Sequence, residues 1–266
     1  MTGAAPQTGR RDGRWVTVWS TGRHSIATGQ AGGPPLPPGG AVISPPVAAH
    51  AIAVYSRPGD TICDPDCEPG AVVTEAVHAS RHAVGIAADP GRWEAARAAL
   101  TRAKARGARG DGMILDRLPD RESWAGLGPV DLVLTAIGPP DPANPAGPAG
   151  DRLREQLAAY RGLLRPGGHL VVIAAYHVAG GMDLASQVAV AGRDTGWRPV
   201  QRAVALTAVP YTRDLGTAPP PLRARAYPVH QDVIVFRPDG RRTQHPRPPD
   251  PPPARAALDA SPHSAD

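Results

Sequence analysis

The chain has 266 residues, with 29 basic and 24 acidic side chains (formal charge +5), 41% hydrophobic and 20% charged, which fits one ordinary domain with tails and excludes a wholly disordered polymer. No apolar run approaches the roughly 20 residues that span a bilayer, and Cys63 and Cys67 alone supply neither a disulfide framework nor a four-ligand zinc site. The polar start carries no apolar signal core, so a reducing cytoplasm is the expected compartment, with no membrane and no metal partner.

Residues 1–41 are expected to form no regular element; GQAGGPPLPPGG at 29–40 can only be loop or linker. A helix is expected at 48–55, then an extended run at 60–63 closed by Asp64-Pro65. Residues 71–79 favour a helix, since Ala and Glu are good formers, and 83–86 is a short apolar run. The best-marked helix spans 90–106, with Asp89 at the N-cap, Pro90 in the first turn and Gly107 just past the end. Strands follow at 113–115 and 130–135, then a helix at 151–164 stopped by Arg165-Pro-Gly-Gly168. Residues 169–174 read as a buried strand, 184–194 as a helix, and 200–209 and 229–236 as strands. From 238 onward the chain is a proline-rich tail: seven of the sixteen residues at 238–253 are proline, with missing donors and fixed φ angles.

Strands separated by helices imply right-handed βαβ crossovers and a largely parallel sheet. The last two strands have no helix between them and should form an antiparallel hairpin at the sheet end. The expected fold is therefore an α/β domain over 42–237, with a seven-stranded, mostly parallel sheet. In such sheets ligands bind beyond the carboxyl ends of the strands.

Lys104 is the only lysine, so 28 of the 29 basic residues are arginine, a bias that accompanies abundant Ala, Gly and Pro. A pI near 9.7 permits contact with DNA phosphates, yet the plain reading is an arginine-rich surface. Only 11 aromatic residues are present, few stacking platforms for a dedicated single-strand or RNA-binding module. The histidines lack metal-ligand spacing, Glu75 reads as an exposed helix residue, and Trp93 as a core residue.

The run Arg57-Pro-Gly-Asp-Thr-Ile-Cys-Asp-Pro-Asp-Cys-Glu-Pro-Gly-Ala-Val-Val-Thr-Glu-Ala76 resembles the S-adenosylmethionine-binding motif of bacterial DNA amino-methyltransferases, which methylate N6 of adenine or N4 of cytosine. The segments around Ala83, Val130, Leu164 and His230 follow in the order of that family's strands. The resemblance implies a class I methyltransferase-like fold, S-adenosylmethionine as cofactor and DNA as partner. It places Asp64, Pro65, Cys67 and Gly70 in the cofactor loop, Asp89 nearest the ribose position and Asp116 near the adenine. Gly138, Pro139, Pro140 and Asp141 fall on the catalytic tetrapeptide. Ser44-Pro-Pro-Val47 falls on the segment leading into the helix that covers the cofactor, and is read as structural.

Three departures accompany the matches. Glu68 and Pro69 interrupt the glycine loop, with a side chain and a lost donor where the backbone approaches the cofactor. Ala87 stands where the family carries a ribose-binding acid. Gly138-Pro-Pro-Asp141 lacks the side-chain acceptor and the stacking ring of the catalytic motif. The sequence thus leaves three readings open: a DNA amino-methyltransferase-like enzyme, a non-catalytic binding or scaffold relative, and a small-molecule methyltransferase. Oligomeric state is left open as well.

Overall fold

The computed structural model describes residues 16–21, 42–67, 69–117, 128–138, 149–174, 183–206 and 230–239. Eight strands form one sheet: β1 (Val16–Trp19), β2 (Thr61–Asp64), β3 (His82–Ile86), β4 (Gly112–Leu115), β5 (Val130–Ile137), β6 (Leu164–Ala174), β7 (Trp197–Leu206) and β8 (His230–Pro238). Their spatial order is β1-β7-β8-β6-β5-β2-β3-β4. Among the described residues five helices cover it: α1 (Pro45–Tyr55), α2 (Ala71–His78), α3 (Pro90–Ala105), α4 (Ala149–Tyr160) and α5 (Leu184–Asp194).

All pairings are parallel except those of β8, which runs antiparallel between β6 and β7. The expected antiparallel pair is therefore present, with β8 inserted inside the sheet rather than appended to it. One strand exceeds the expected seven. Val16–Trp19, inside the segment expected to hold no element, pairs in parallel with Arg202 to Ala205 of β7. The tetrapeptide Val-Thr-Val-Trp is a good strand sequence; only the otherwise open edge of β7 gives it a partner.

Period-2 alternation sends neighbouring side chains to opposite layers. Ile62, Leu132, Val171 and Val235 face α1–α3, packing on small residues such as Ala48, Ala51, Val73 and Ala76. Cys63, Val133, Val172 and Ile234 face α4 and α5 and meet larger groups, Leu157, Tyr160, Trp197 and Phe236. The helix caps follow local chemistry. Asp89 Oδ1 accepts the Arg92 N–H at 2.9 Å, and Asp183 Oδ1 that of Ser186 at 2.7 Å. Helix α4 ends at Tyr160, four residues before the expected limit, because Leu164 is already paired with Val130. The ladder resumes only at Leu132–His169, so Arg165-Pro-Gly-Gly168 is an irregular opening to β6 and not a stop before it.

No helix among the described residues is long and apolar enough to cross a membrane.

Candidate functional site

The registers bring the carboxyl ends of four adjacent strands to one level: Cys63 lies opposite Val133, Asp64 opposite Gly85, and Gly85 opposite Ile114. Four chain turns leave this edge. The turn after β2 holds Asp64, Pro65, Cys67 and Gly70; Asp89 follows β3, Asp116 follows β4, and Gly138 follows β5. Residues separated by 74 positions in sequence thus share one rim. Pro139, Pro140 and Asp141 lie outside the described residues, as does Glu68.

Asp64 is the chemical centre of this edge. It is 2% exposed, and burial pushes its carboxyl up to about 7. Among the described residues its partners are few: Oδ1 takes the Asp66 N–H at 3.3 Å, and the Cys67 thiol contacts the carboxylate. Asp66 beside it is also raised by burial, with Arg92 pulling the other way. Such a carboxylate is stabilised in its charged form by a cation.

The turn itself is rigid. Cys67 N–H donates to the Ile86 carbonyl at 2.8 Å, tying it to β3. The Cys67 sulfur rests on Gly85, where a Cβ would come within 2.8 Å. Burial, with Asp64 adding to it, keeps the Cys67 thiol protonated, and Cys63 is held likewise. Neither is a thiolate nucleophile or metal ligand in this state. Among the described residues no group of three or more His, Cys, Asp or Glu side chains is placed to hold a metal.

Gly70 opens α2 in the left-handed region (φ +93°), with no side chain capping the helix. A Cβ there would stand 3.1 Å from Ala96 Cα, so glycine lets α2 close on α3 and leaves its first N–H groups facing the rim. Ala87 is buried, and its N–H is spent on the Leu115 carbonyl. Asp89 is exposed and one of its oxygens caps α3. Asp116 is exposed just beyond β4.

Two side chains differ from expectation. Glu75 is half-buried rather than exposed, and burial raises its carboxyl. Trp93 is half-buried rather than core. Its position on α3 turns it toward the edge strand β4, where its indole N–H meets the Ile114 carbonyl at 3.3 Å.

The same rim continues over β6, β8 and α5 with groups the sequence reading missed. Ser44, at the N-cap of α1, is 5% exposed, and its Oγ has no hydrogen-bond partner. Its N–H lies 3.5 Å from Gln231 Oε1, while Gln231 Nε2 donates to the Val42 carbonyl at 2.6 Å. Arg202 joins Asp232 at 3.2 Å and Asp183 at 3.5 Å. No local spacing signals this network, because strand pairing alone sets Arg202 beside Asp232.

The cofactor that the fold implies can be tested against these donors. S-adenosylmethionine carries a sulfonium, an ammonium and an adenine amino group. Asp64, buried and short of partners, fits the cationic end, and the exposed Asp116 fits the amino group. The ribose diol finds no carboxylate at the end of β3, where Ala87 stands.

The chain matches no described protein family and no curated protein sequence. It is similar to solved structures. One is a precorrin 8w decarboxylase from Methanobacterium thermoautotrophicum: 17% identity, TM-score 0.51, over 74% of this chain and 92% of that one. Others are TrmN from Thermus thermophilus (17%, TM-score 0.46, 74% and 49%) and the magnesium protoporphyrin IX methyltransferase ChlM from Synechocystis PCC 6803 (15%, TM-score 0.45, 71% and 75%). The chain thus spans about half the length of TrmN. With the strand order and the inserted antiparallel β8, the similarity establishes the fold: a class I methyltransferase-like α/β sandwich.

Proposed function

We propose that the chain binds S-adenosylmethionine at the carboxyl ends of β2, β3 and β4 and acts as a methyltransferase on an amino group, with DNA as the first acceptor to test. The observation that carries this reading is Asp64, a buried, under-partnered carboxylate on the motif turn of a methyltransferase fold. When bound, the cofactor supplies an electrophilic methyl group on a cationic sulfur. Asp64 holds the cationic end, and its charged form is favoured by that contact. The first N–H groups of α2, opened by Gly70, face the cofactor's carboxylate. Asp116 accepts from the adenine amino group.

Beside the acceptor, Gly138 brings a backbone carbonyl rather than a side chain. Direct attack by an amino nitrogen needs position and electrostatics more than a strong base, so a carbonyl can orient that nitrogen. The proposed activity is therefore slow.

A second reading has its own support. Ala87 in place of an acid and Gly138 without a side chain favour a non-catalytic binding module that keeps the fold. Calorimetry with millimolar S-adenosylmethionine separates the two: methyl transfer requires binding, and Asp64→Asn should weaken it at least tenfold. A folded protein that gives no heat and no thermal shift rules out the methyltransferase reading. Given binding, tritiated-methyl transfer to unmethylated DNA, set against small amines, names the acceptor class.

A further inference from the structure

Ser44-Pro-Pro-Val47 starts α1 without using the chemistry of its own cap. Ser44 has the extended backbone of an N-cap (φ −69°, ψ 141°), yet its hydroxyl caps no N–H. The residue is nine-tenths buried, and Oγ has no hydrogen-bond partner among the described residues. Pro45 and Pro46 carry no N–H, so the first amide of the helix is that of Val47, which an N-cap hydroxyl ordinarily serves. No backbone bond among the described residues spends that amide, whereas the Ala48 N–H already reaches the Ser44 carbonyl at 3.0 Å. A corner for one oxygen atom remains, with a hydroxyl and an amide as its donors, at the positive end of a helix.

Strand pairing sets this corner on the carboxyl rim. Ile137, Ala174, Asp232 and Val204 form one row across β5, β6, β8 and β7. Gly138 and Gln231 each lie one residue past that row on the rim side, two strand spacings or about 10 Å apart. Gln231 alternates with the core residues Val233 and Val235, which puts its side chain on the α1 face. There Nε2 donates to the Val42 carbonyl at 2.6 Å, while Oε1 has only a long contact, 3.5 Å, from the Ser44 N–H. Oε1 therefore keeps acceptor capacity beside the two unused donors.

We infer that this corner anchors the methyl acceptor by an amide group, the amide oxygen on Ser44 Oγ and the Val47 N–H, the amide N–H on Gln231 Oε1. The acceptor's amino nitrogen then lies along the rim at the Gly138 carbonyl. The inference rests on the methyl-donor reading and names the acceptor class within it: a small amine that carries an amide. The donor set selects that group. A phosphate calls for several backbone amides or a cation. Two prolines have removed the amides, and Arg202 lies on the opposite face of the sheet, committed to Asp232 and Asp183. A carboxylate meets the same lack of a cation and has no N–H to offer Gln231. A hydrocarbon leaves the buried hydroxyl unpaired. Adenine and cytosine in DNA carry no adjoining carbonyl and N–H, so methyl transfer tested on DNA and on small amines should favour the amines.

The test is a ligand-observed NMR titration of the full chain, with and without S-adenosylmethionine. The probes are ω-amino amides from 4-aminobutanamide to 6-aminohexanamide, set against the amino carboxylates, alkylamines and N,N-dimethyl amides of the same length. The best plain amide should bind about fivefold or more tightly than each of its three analogues. Ser44→Ala should abolish that preference without lowering the alkylamine's affinity or the melting midpoint, because Oγ bonds nothing in the free protein. A hydroxyl that serves only as a cap predicts the reverse, a lower midpoint with the preference intact. The dimethyl amide, which lacks the N–H, tests the Gln231 contact without any substitution and decides the matter if Ser44→Ala does not fold. Equal binding of amide and carboxylate, equal binding of plain and dimethyl amide, or a preference that survives Ser44→Ala overturns the inference. Calorimetry with S-adenosylmethionine on the same protein separates the two failures. Cofactor binding without an amide preference sinks this inference alone, whereas no cofactor binding sinks the methyl-donor reading and the acceptor role with it.

Discussion

The two edges of the sheet are built to opposite rules. At the amino edge, polar side chains are saturated. Asp131 takes the Thr61 N–H at 2.7 Å and pairs with Arg165. Arg81, only 9% exposed, donates to the Ser56 hydroxyl, the Ser56 carbonyl and the Ala79 carbonyl. Arg237 donates to His169, and Tyr55 to Gln201. At the carboxyl edge, among the described residues, Asp64 is buried with only a long backbone hydrogen bond and the Cys67 thiol on its carboxylate, and Ser44 Oγ has no partner. Buried polar groups usually find partners, and each exception asks for a reason. Here the exceptions gather where open α/β sheets bind ligands. One edge holds the fold together; the other keeps bonding capacity in reserve.

The contrast can be broken most severely at Arg81. Removing it, as Arg81→Met, strips the Ser56 carbonyl and the Ala79 carbonyl of their side-chain donor and leaves the Ser56 hydroxyl only its own bond to the Ile52 carbonyl, charge-assisted bonds each of roughly 1.5–3 kcal/mol being lost. We expect a loss of about 3–5 kcal/mol in urea unfolding, with no specific effect on cofactor affinity in protein that remains folded.

Asp64 should behave in the opposite sense. Its folded-state pKa, about 7, lies above its ordinary value of 3.8, so the native protein holds a proton the unfolded chain releases. That linkage makes the fold less stable as pH rises from about 4 to 7, and the penalty stays constant above that window. Asp64→Asn should therefore be about 2–4 kcal/mol more stable than wild type at pH 8 and nearly equal at pH 4. Urea midpoints at the two pH values measure this. A stability gain with lost cofactor binding is the signature of a group kept for a ligand, whereas losing stability at pH 8 would place Asp64 with the saturated edge.

The smallest expected effect sharpens the assignment of Asp89. As the N-cap of α3, Asp89→Ala should cost about 1 kcal/mol. If the cap is its whole role, S-adenosylmethionine affinity by calorimetry is unchanged; a tenfold loss would instead assign its second oxygen to the ribose.

Much of this molecule is legible along the chain. Asp89-Pro90 and the glycine at 107 announce α3 through its cap and its stop, both local signals. The run at 169–174 reads as a buried strand because both faces of that part of β6 are covered. The turn from Asp64 to Gly70 is visible as a motif, since close packing confines its residue types within a few positions. Other features have no local mark. Val16–Trp19 is a strand only because β7 has a free edge, and α4 stops early only because Leu164 has a ladder partner. Trp93 looks like a core residue until the outermost position of β4 leaves it at an open groove.

The sequence by itself determined the parallel α/β class, the caps and the motif turn, because each follows from spacing and residue type over a short stretch of chain. Tertiary structure alone decided that β8 enters between β6 and β7, that Arg202 meets Asp232 and Asp183, and that Asp64 is buried with few partners among the described residues. Those outcomes depend on which strands become neighbours and on how much water is left beside them, quantities set by contacts between residues far apart in the chain.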